Sequence, residues 1–177
     1  MIKIYDGVFT SKQCKELIKK FEHNEEQHEI FNNDVMQFTQ YNFTAHHPQS
    51  KLHSQLSEQV AQLARKYFPD VFVRVLPNIG GLEQFRIKKY NPGGEFKVHI
   101  DVMNRESAIR AVGFLFYLND SDGYTDFINH NIRVEPKAGR VVVFPPTWEY
   151  PHIGQASSKD KYIMSTYLHY GTDYENV

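Results

Sequence analysis

Near Val71 the hydrophobic pattern of the chain changes period, and that change limits the fold more than any other feature of the sequence. Upstream, Thr10 or Ser11 can cap a helix whose apolar positions Cys14, Leu17, Ile18 and Phe21 follow the i, i+3, i+4, i+7 spacing of one helical face. A second stripe, Leu52, Leu56, Val60, Leu63 and Tyr67, begins after Pro48, a favoured first helical residue, and stops at Phe68-Pro69. Between the two, Asp34–Thr44 reads as a strand. Downstream, runs rich in Val, Ile, Phe and Tyr alternate with Gly, Pro, Asn and Asp breaks, at Val71–Leu76, Gln84–Tyr90, Glu95–Met103, Ala111–Leu118, Arg140–Phe144 and Tyr162–Tyr170. Parallel strands need long crossovers, and no helical pattern lies between these runs to supply them. The spacing therefore predicts a mainly β fold with N-terminal helices: an antiparallel sandwich or jelly roll braced by two helices. At 177 residues the chain has the length of one domain, 1–177, with about 1–70 as helical support and 71–177 as the jelly-roll core.

Composition narrows the function classes. Twenty Lys and Arg against 21 Asp and Glu leave a formal charge of -1, so the bulk field gives no reason to expect a nucleic acid or an anionic membrane as partner. One cysteine, Cys14, rules out an internal disulfide and fits a reducing compartment. The longest near-apolar stretch, Ala111 to Leu118, falls far short of the roughly 18 residues that span a bilayer, and a cytoplasmic protein is expected.

Nine histidines invite a search for metal ligands. In the alternating run Glu95–Met103, His99 and Asp101 share a parity, so an imidazole and a carboxylate project to the same side. Nine His and nine Asp in 177 residues give about 0.5 His-x-Asp pairs by chance, so the pair alone means little. His152, in Tyr150-Pro151-His152-Ile153-Gly154, completes a two-His, one-carboxylate set. Such a facial triad leaves half an octahedron open and suits Fe(II) with a chelating co-substrate and O₂, whereas structural zinc wants a fourth protein ligand. The same residues also fit a surface strand pair with His152 in a loop. Lys161 opens a strand on which it shares a face with Ser165 and Tyr167. A lysine there is either solvated at the strand end or aimed into the core, where it needs a buried anion such as the far carboxylate of a dicarboxylate. The adjacent His46-His47 and the loop His130 read as surface histidines.

Four segments, Tyr90 through Asp101, Phe116-Tyr117-Leu118-Asn119, Pro136 through Pro145, and His152 through Ile163, together resemble the 2-oxoglutarate/Fe(II) dioxygenases, specifically the prolyl 4-hydroxylase-like branch and its compact microbial and viral members. The resemblance covers about Gln84 to Tyr170 and implies a double-stranded β-helix, or jelly roll. It makes His99, Asp101 and His152 the iron ligands and the catalytic set, and Lys161 the partner of the distal 2-oxoglutarate carboxylate. Tyr117, Tyr90 and Ser165 join Lys161 as candidate co-substrate contacts; Arg110, Trp148 and Tyr167 are candidate substrate contacts. Strict alternation places Arg110 and Tyr117 on opposite faces. The implied cofactors are Fe(II), 2-oxoglutarate, O₂ and ascorbate; the implied reaction hydroxylates a prolyl residue of a peptide or protein while 2-oxoglutarate becomes succinate and CO₂. Asp122-Gly123-Tyr124-Thr125-Asp126-Phe127 departs from the family's Gly-Gly-x-Thr-x-Phe, and Phe96 stands where a tyrosine is common. The rivals are the same chemistry on a free amino acid or a nucleic-acid base, the latter disfavoured by the absence of an arginine after His152, and a non-catalytic jelly-roll binding module.

Overall fold

A computed structural model describes residues 1–71 and 75–171. The elements run β1 (Lys3–Tyr5), α1 (Ser11–Glu22), β2 (Glu29–Asn32), β3 (Gln37–Asn42), α2 (Phe43–His46), α3 (Lys51–Asp70), β4 (Ile79–Leu82), β5 (Arg86–Tyr90) and β6 (Phe96–His99). They continue with β7 (Arg110–Tyr117), β8 (Thr125–Phe127), β9 (Ile132–Val134), β10 (Val141–Phe144), β11 (His152–Gly154) and β12 (Lys161–Tyr170). Of the strand expected at Val71–Leu76, residues 72–74 lie outside the described residues, Val71 ends α3, and Val75 and Leu76 belong to no strand.

Both long helices begin where a side chain satisfies their free N–H groups. Thr10 and Gln13 form a reciprocal capping box at α1. At α3 the His53 N–H donates to Ser50 Oγ, so the helix starts at Lys51 and not at Pro48, which lies in the preceding turn. It also continues through Pro69 and ends one residue later at Asp70. Upstream of β3 the chain makes a hairpin that the reading of Asp34–Thr44 as one strand misses: Asn33 accepts from the N–H groups of Val35 and Met36, and β2 pairs back on β3.

The larger sheet has the order β1-β10-β7-β12-β5-β3-β2, with β4 also on β12; the smaller is β6-β11-β8-β9, and all pairings are antiparallel. The first 70 residues thus supply strands as well as helices. Alternation along the larger sheet sorts two cores. Phe114 and Phe116 of β7 and Tyr162 and Met164 of β12 pack with Leu17, Phe21, Leu56 and Val60 of the helices. Leu115, Tyr117, Val142, Phe144 and Ile163 face the other way and pack with Phe127 and Val134 of the smaller sheet. Each such fully buried Phe or Leu contributes about 1.5–3 kcal/mol relative to exposure. The larger sheet is therefore a middle layer, helices on one face and the second sheet on the other. Among the described residues no helix is long and apolar enough to cross a membrane.

Candidate metal centre and co-substrate pocket

Between the two sheets, His99, Asp101 and His152 come together with ligand atoms all within 4.8 Å of one another. The Asp101 carboxylate lies 3.7 Å from His99 Nε2 and 3.9 Å from His152 Nε2. His99 Nδ1 is 2.8 Å from the Lys97 carbonyl and His152 Nδ1 is 3.1 Å from the Tyr150 carbonyl. A carbonyl only accepts, so both Nδ1 atoms carry the proton and both Nε2 lone pairs point at the Asp101 side. Burial first, and then the neighbouring His152, pull the His99 pKa down to about 4, which keeps the ring neutral and ready to ligate.

How His99 and Asp101 meet differs from the even strand that alternation predicts. β6 ends at His99, and its pairing shifts by one residue between His152↔His99 and Gly154↔Phe96. That bulge leaves Val98 55% exposed and swings Phe96 onto the same side as His99, where the two rings stack with centroids 3.5 Å apart. The phenylalanine that replaces the more common tyrosine thus clamps a candidate ligand. His152, which the sequence pattern assigns to no strand, lies on β11, 5% exposed, against Phe127 and Phe144.

A narrow pocket opens beside the triad and is lined by Lys88, Tyr90, Phe96, Thr125, Lys161, Ile163, Ser165 and Tyr167 among others. Lys161 is 2% exposed. Its ammonium donates to the carbonyls of Gln155 (2.6 Å) and Gly123 (3.2 Å) and lies over the Tyr90 ring, and among the described residues no carboxylate is bonded to it. Burial lowers its pKa to about 8, partly opposed by Asp122. A Cβ on Gly123 would come within 3.0 Å of that ammonium, so glycine keeps the space it occupies. Tyr117 is fully buried, and among the described residues its hydroxyl meets no partner at full hydrogen-bond distance, only the weaker influence of the Thr125 side chain. A buried cation that meets only carbonyls, and two imidazoles with a carboxylate, line the same pocket and fit a dicarboxylate chelating a divalent metal; Tyr117 packs behind this lining and is not part of it.

Residues 85–169 match the family model described as the 2OG-Fe(II) oxygenase superfamily. That segment belongs to the 2-oxoglutarate/Fe(II) oxygenases. No curated protein matches the chain in sequence. Among solved structures, the chain is similar to a Pseudomonas putida prolyl-4-hydroxylase (TM-score 0.75, 17% identity, 96% of this chain and 92% of that one). It is equally similar to a Trichoplax adhaerens prolyl hydroxylase solved with a hypoxia-inducible-factor oxygen degradation domain peptide (0.75, 17%, 95% and 83%). A viral collagen prolyl hydroxylase from Paramecium Bursaria Chlorella virus-1 gives 0.69, 16%, 96% and 96%. At these identities the likeness establishes the fold. The family implies Fe(II), 2-oxoglutarate and O₂.

The oxygenase domain places the other candidates unequally. Tyr167 lines the pocket, and burial and then the Asp101 carboxylate raise its pKa. Ser165 also lines it. Trp148 is 73% exposed and lines none of the described clefts. Arg110 lies close to the metal site but is already engaged: it forks onto Glu83 (2.7 and 2.8 Å), donates to the Asp101 carbonyl (2.7 Å) and stacks 3.9 Å over Tyr167. Glu83 also takes Arg86 and His169. Burial alone would raise the Glu83 pKa, but hydrogen bonds from Arg110 and His169 outweigh it and hold it at about 2.

The folded pKa of Glu83 is below its ordinary 4.5, so the stabilisation it brings is complete above that pH and is lost as pH falls toward 2. Glu83→Gln is expected to flatten the acid limb of stability between pH 5 and pH 3, a difference of about 2 kcal/mol from the native chain in urea unfolding. Parallel acid limbs in the two proteins would contradict this. Sequence reasoning missed Glu83, 27 residues before Arg110, and also Lys88, although Lys88 shares its parity with Tyr90 on β5.

Proposed function

We propose that the chain hydroxylates a prolyl residue of a peptide or protein, the overall change being insertion of one oxygen atom of O₂ into a C–H bond while 2-oxoglutarate takes the other and leaves as succinate and CO₂. The observation that carries the oxygenase chemistry is the convergence of His99, Asp101 and His152 at one end of a pocket whose other end holds the buried Lys161. Bound there, Fe(II) supplies the O₂-activating chemistry that no side chain has. His99 and His152 would hold it through Nε2, each ring fixed by the carbonyl on its Nδ1, and Asp101 through its carboxylate. Lys161 would take the distal carboxylate of 2-oxoglutarate, with Tyr117 on the neighbouring strand β7 opposite Ile163; Ser165, four residues along β12 and opposite Arg86, lies toward the outer end of the pocket. Leu115, Phe144 and Ile163 line the pocket and keep water from the reacting carbon. The double-stranded β-helix reading is supported by the two facing antiparallel sheets, and the prolyl reading by the fold shared with prolyl hydroxylases.

The test is succinate formation from 2-oxoglutarate with Fe(II), ascorbate and a library of prolyl peptides, read with mass spectrometry for added oxygen. Added oxygen on a free amino acid but on no peptide would overturn the prolyl reading and leave the oxygenase chemistry standing. Within the same assay, Tyr117→Phe is expected to weaken 2-oxoglutarate binding by about 1–3 kcal/mol, the scale of a hydrogen bond to a charged group. The hydroxyl it removes meets Thr125 only weakly, so the protein without co-substrate should change little in stability. Unchanged co-substrate affinity would place the phenol outside the binding set.

A further inference from the structure

Three cationic side chains, Arg86, Lys88 and Arg110, line an outer cleft that shares Lys88, Phe96, His99, Asp101, Ser165 and Tyr167 with the inner pocket. Two of them are answered within the chain, since Glu83 lies 2.7 Å from both Arg86 and Arg110. Asp101 is committed to the metal site. Lys88 is left over: among the described residues no carboxylate lies within ion-pair distance of it, and its one hydrogen bond is a 3.3 Å donation to the neutral Ser165 hydroxyl. The ammonium also lies 5.4 Å from the centroid of the Phe38 ring, on an apolar wall completed by Phe31, Met36 and Phe96. A cation with three donors and one weak acceptor, held against aromatic rings, is under-compensated, and a desolvated anion would meet it at high gain.

The strand register says which ligand can bring that anion. On β5, Tyr90 sits opposite Lys161 of β12, Lys88 opposite Ile163, and Arg86 opposite Ser165. Lys88 is therefore one two-residue step, about 7 Å, away from the Lys161 end and toward the outer cleft. A co-substrate carboxylate directed to Lys161 points away from it, whereas a molecule entering through the outer cleft passes it next to Asp101. We propose that Lys88 selects substrates bearing a carboxylate close to the hydroxylated residue, from an acidic side chain or from a free chain terminus. This deepens the prolyl reading and rests on it.

The test uses paired prolyl peptides: one with glutamate beside the target proline and its glutamine isostere, and one with a free terminal carboxylate and its amide. The first pair reports a side-chain source and the second a terminal source. In the native chain the acidic member of at least one pair should show about tenfold higher kcat/KM, mainly through KM, the worth of one charge-assisted contact. Lys88→Met should bring that ratio to within about twofold, Lys88→Arg should retain it, and Lys88→Glu should turn the preference toward lysine-bearing peptides. Calorimetric binding of the same pairs to the metal-free protein should show the same ordering. Equal turnover of both members by the native chain, a preference that survives Lys88→Met, or a Lys88→Met defect confined to the 2-oxoglutarate KM would each overturn the proposal while leaving prolyl hydroxylation intact. Absence of added oxygen on every prolyl peptide would instead bring down the prolyl reading, and this proposal with it.

Discussion

Replacing His152 with alanine is expected to abolish succinate formation and to weaken divalent-metal binding by more than the ~10–100-fold that loss of a ligand's outer partner costs. The imidazole supplies one of three converging donors, and among the described residues no fourth His, Cys, Asp or Glu joins them to replace Nε2. Sequence alone suggests that a ligand carries no core volume, but His152 is buried and flanked by Phe127 and Phe144, each 5.2 Å away between ring centroids. The alanine variant should therefore also lose about 2 kcal/mol of stability through the void left between those rings. His152→Gln, which fills more of that void, should recover stability without recovering turnover. Succinate assays, metal titration calorimetry and urea unfolding on the three proteins separate these effects. A His152→Ala protein that turns over normally would remove the residue from the metal site.

Lys161→Met should raise the 2-oxoglutarate KM by about 10–100-fold, the loss of a charge-assisted hydrogen bond, with metal affinity little changed. Its effect on the protein without co-substrate depends on pH in a definite direction. Burial lowers the Lys161 pKa from 10.5 to about 8, so the folded state holds this proton less tightly than the unfolded chain. Below pH 8 both states are protonated and the penalty is complete; between pH 8 and pH 10 it is relieved as the native ammonium gives up its proton. The native chain should thus gain about 2 kcal/mol over the methionine variant across that interval. Near neutrality the two should differ little, because removing a buried charge offsets the loss of donors to the Gly123 and Gln155 carbonyls. Stability curves that run parallel from pH 7.5 to pH 10 would mean that the ammonium is solvated.

Where alternation held, the sequence exposed the site. Lys161, Ser165 and Tyr167 share a parity on β12, and all three line the pocket. Where a bulge interrupts it, the reasoning failed: Phe96 and His99 sit three residues apart yet stack, and Val98, grouped with Phe96 and Ile100 by parity, is exposed. Strands of three residues, such as β8, β9 and β11, carry too few alternations to register as periodic, so the pattern placed His152 in no strand. The helices were legible because four or five apolar positions repeat on one face, but their starts depended on local cap chemistry, which favoured Ser50 over Pro48. The engagement of Arg110 was hidden because its partner Glu83 is joined to it only by the folded sheet. Lys88 shares the parity of Tyr90 on β5, but Tyr90 stood out only through the family resemblance, and Lys88 emerges only from the charges around the finished cleft.

Strand β12 presents Tyr162, Met164 and Leu168 to the helices and Lys161, Ile163, Ser165 and Tyr167 to the pocket. Folding information and chemical information are thus written on opposite sides of one ribbon. Exchanges on the pocket side leave the helix-facing side to hold the register, so substrate preference can drift by single substitutions without passing through misfolded ancestors. A one-residue insertion or deletion in β12 has the opposite character: it would exchange the two messages at once, burying a cation among the helices and sealing the pocket with core hydrocarbon. Lineages descended from such a chain should vary readily at Lys88 and Ser165 while keeping the spacing from Lys161 to Leu168 free of gaps.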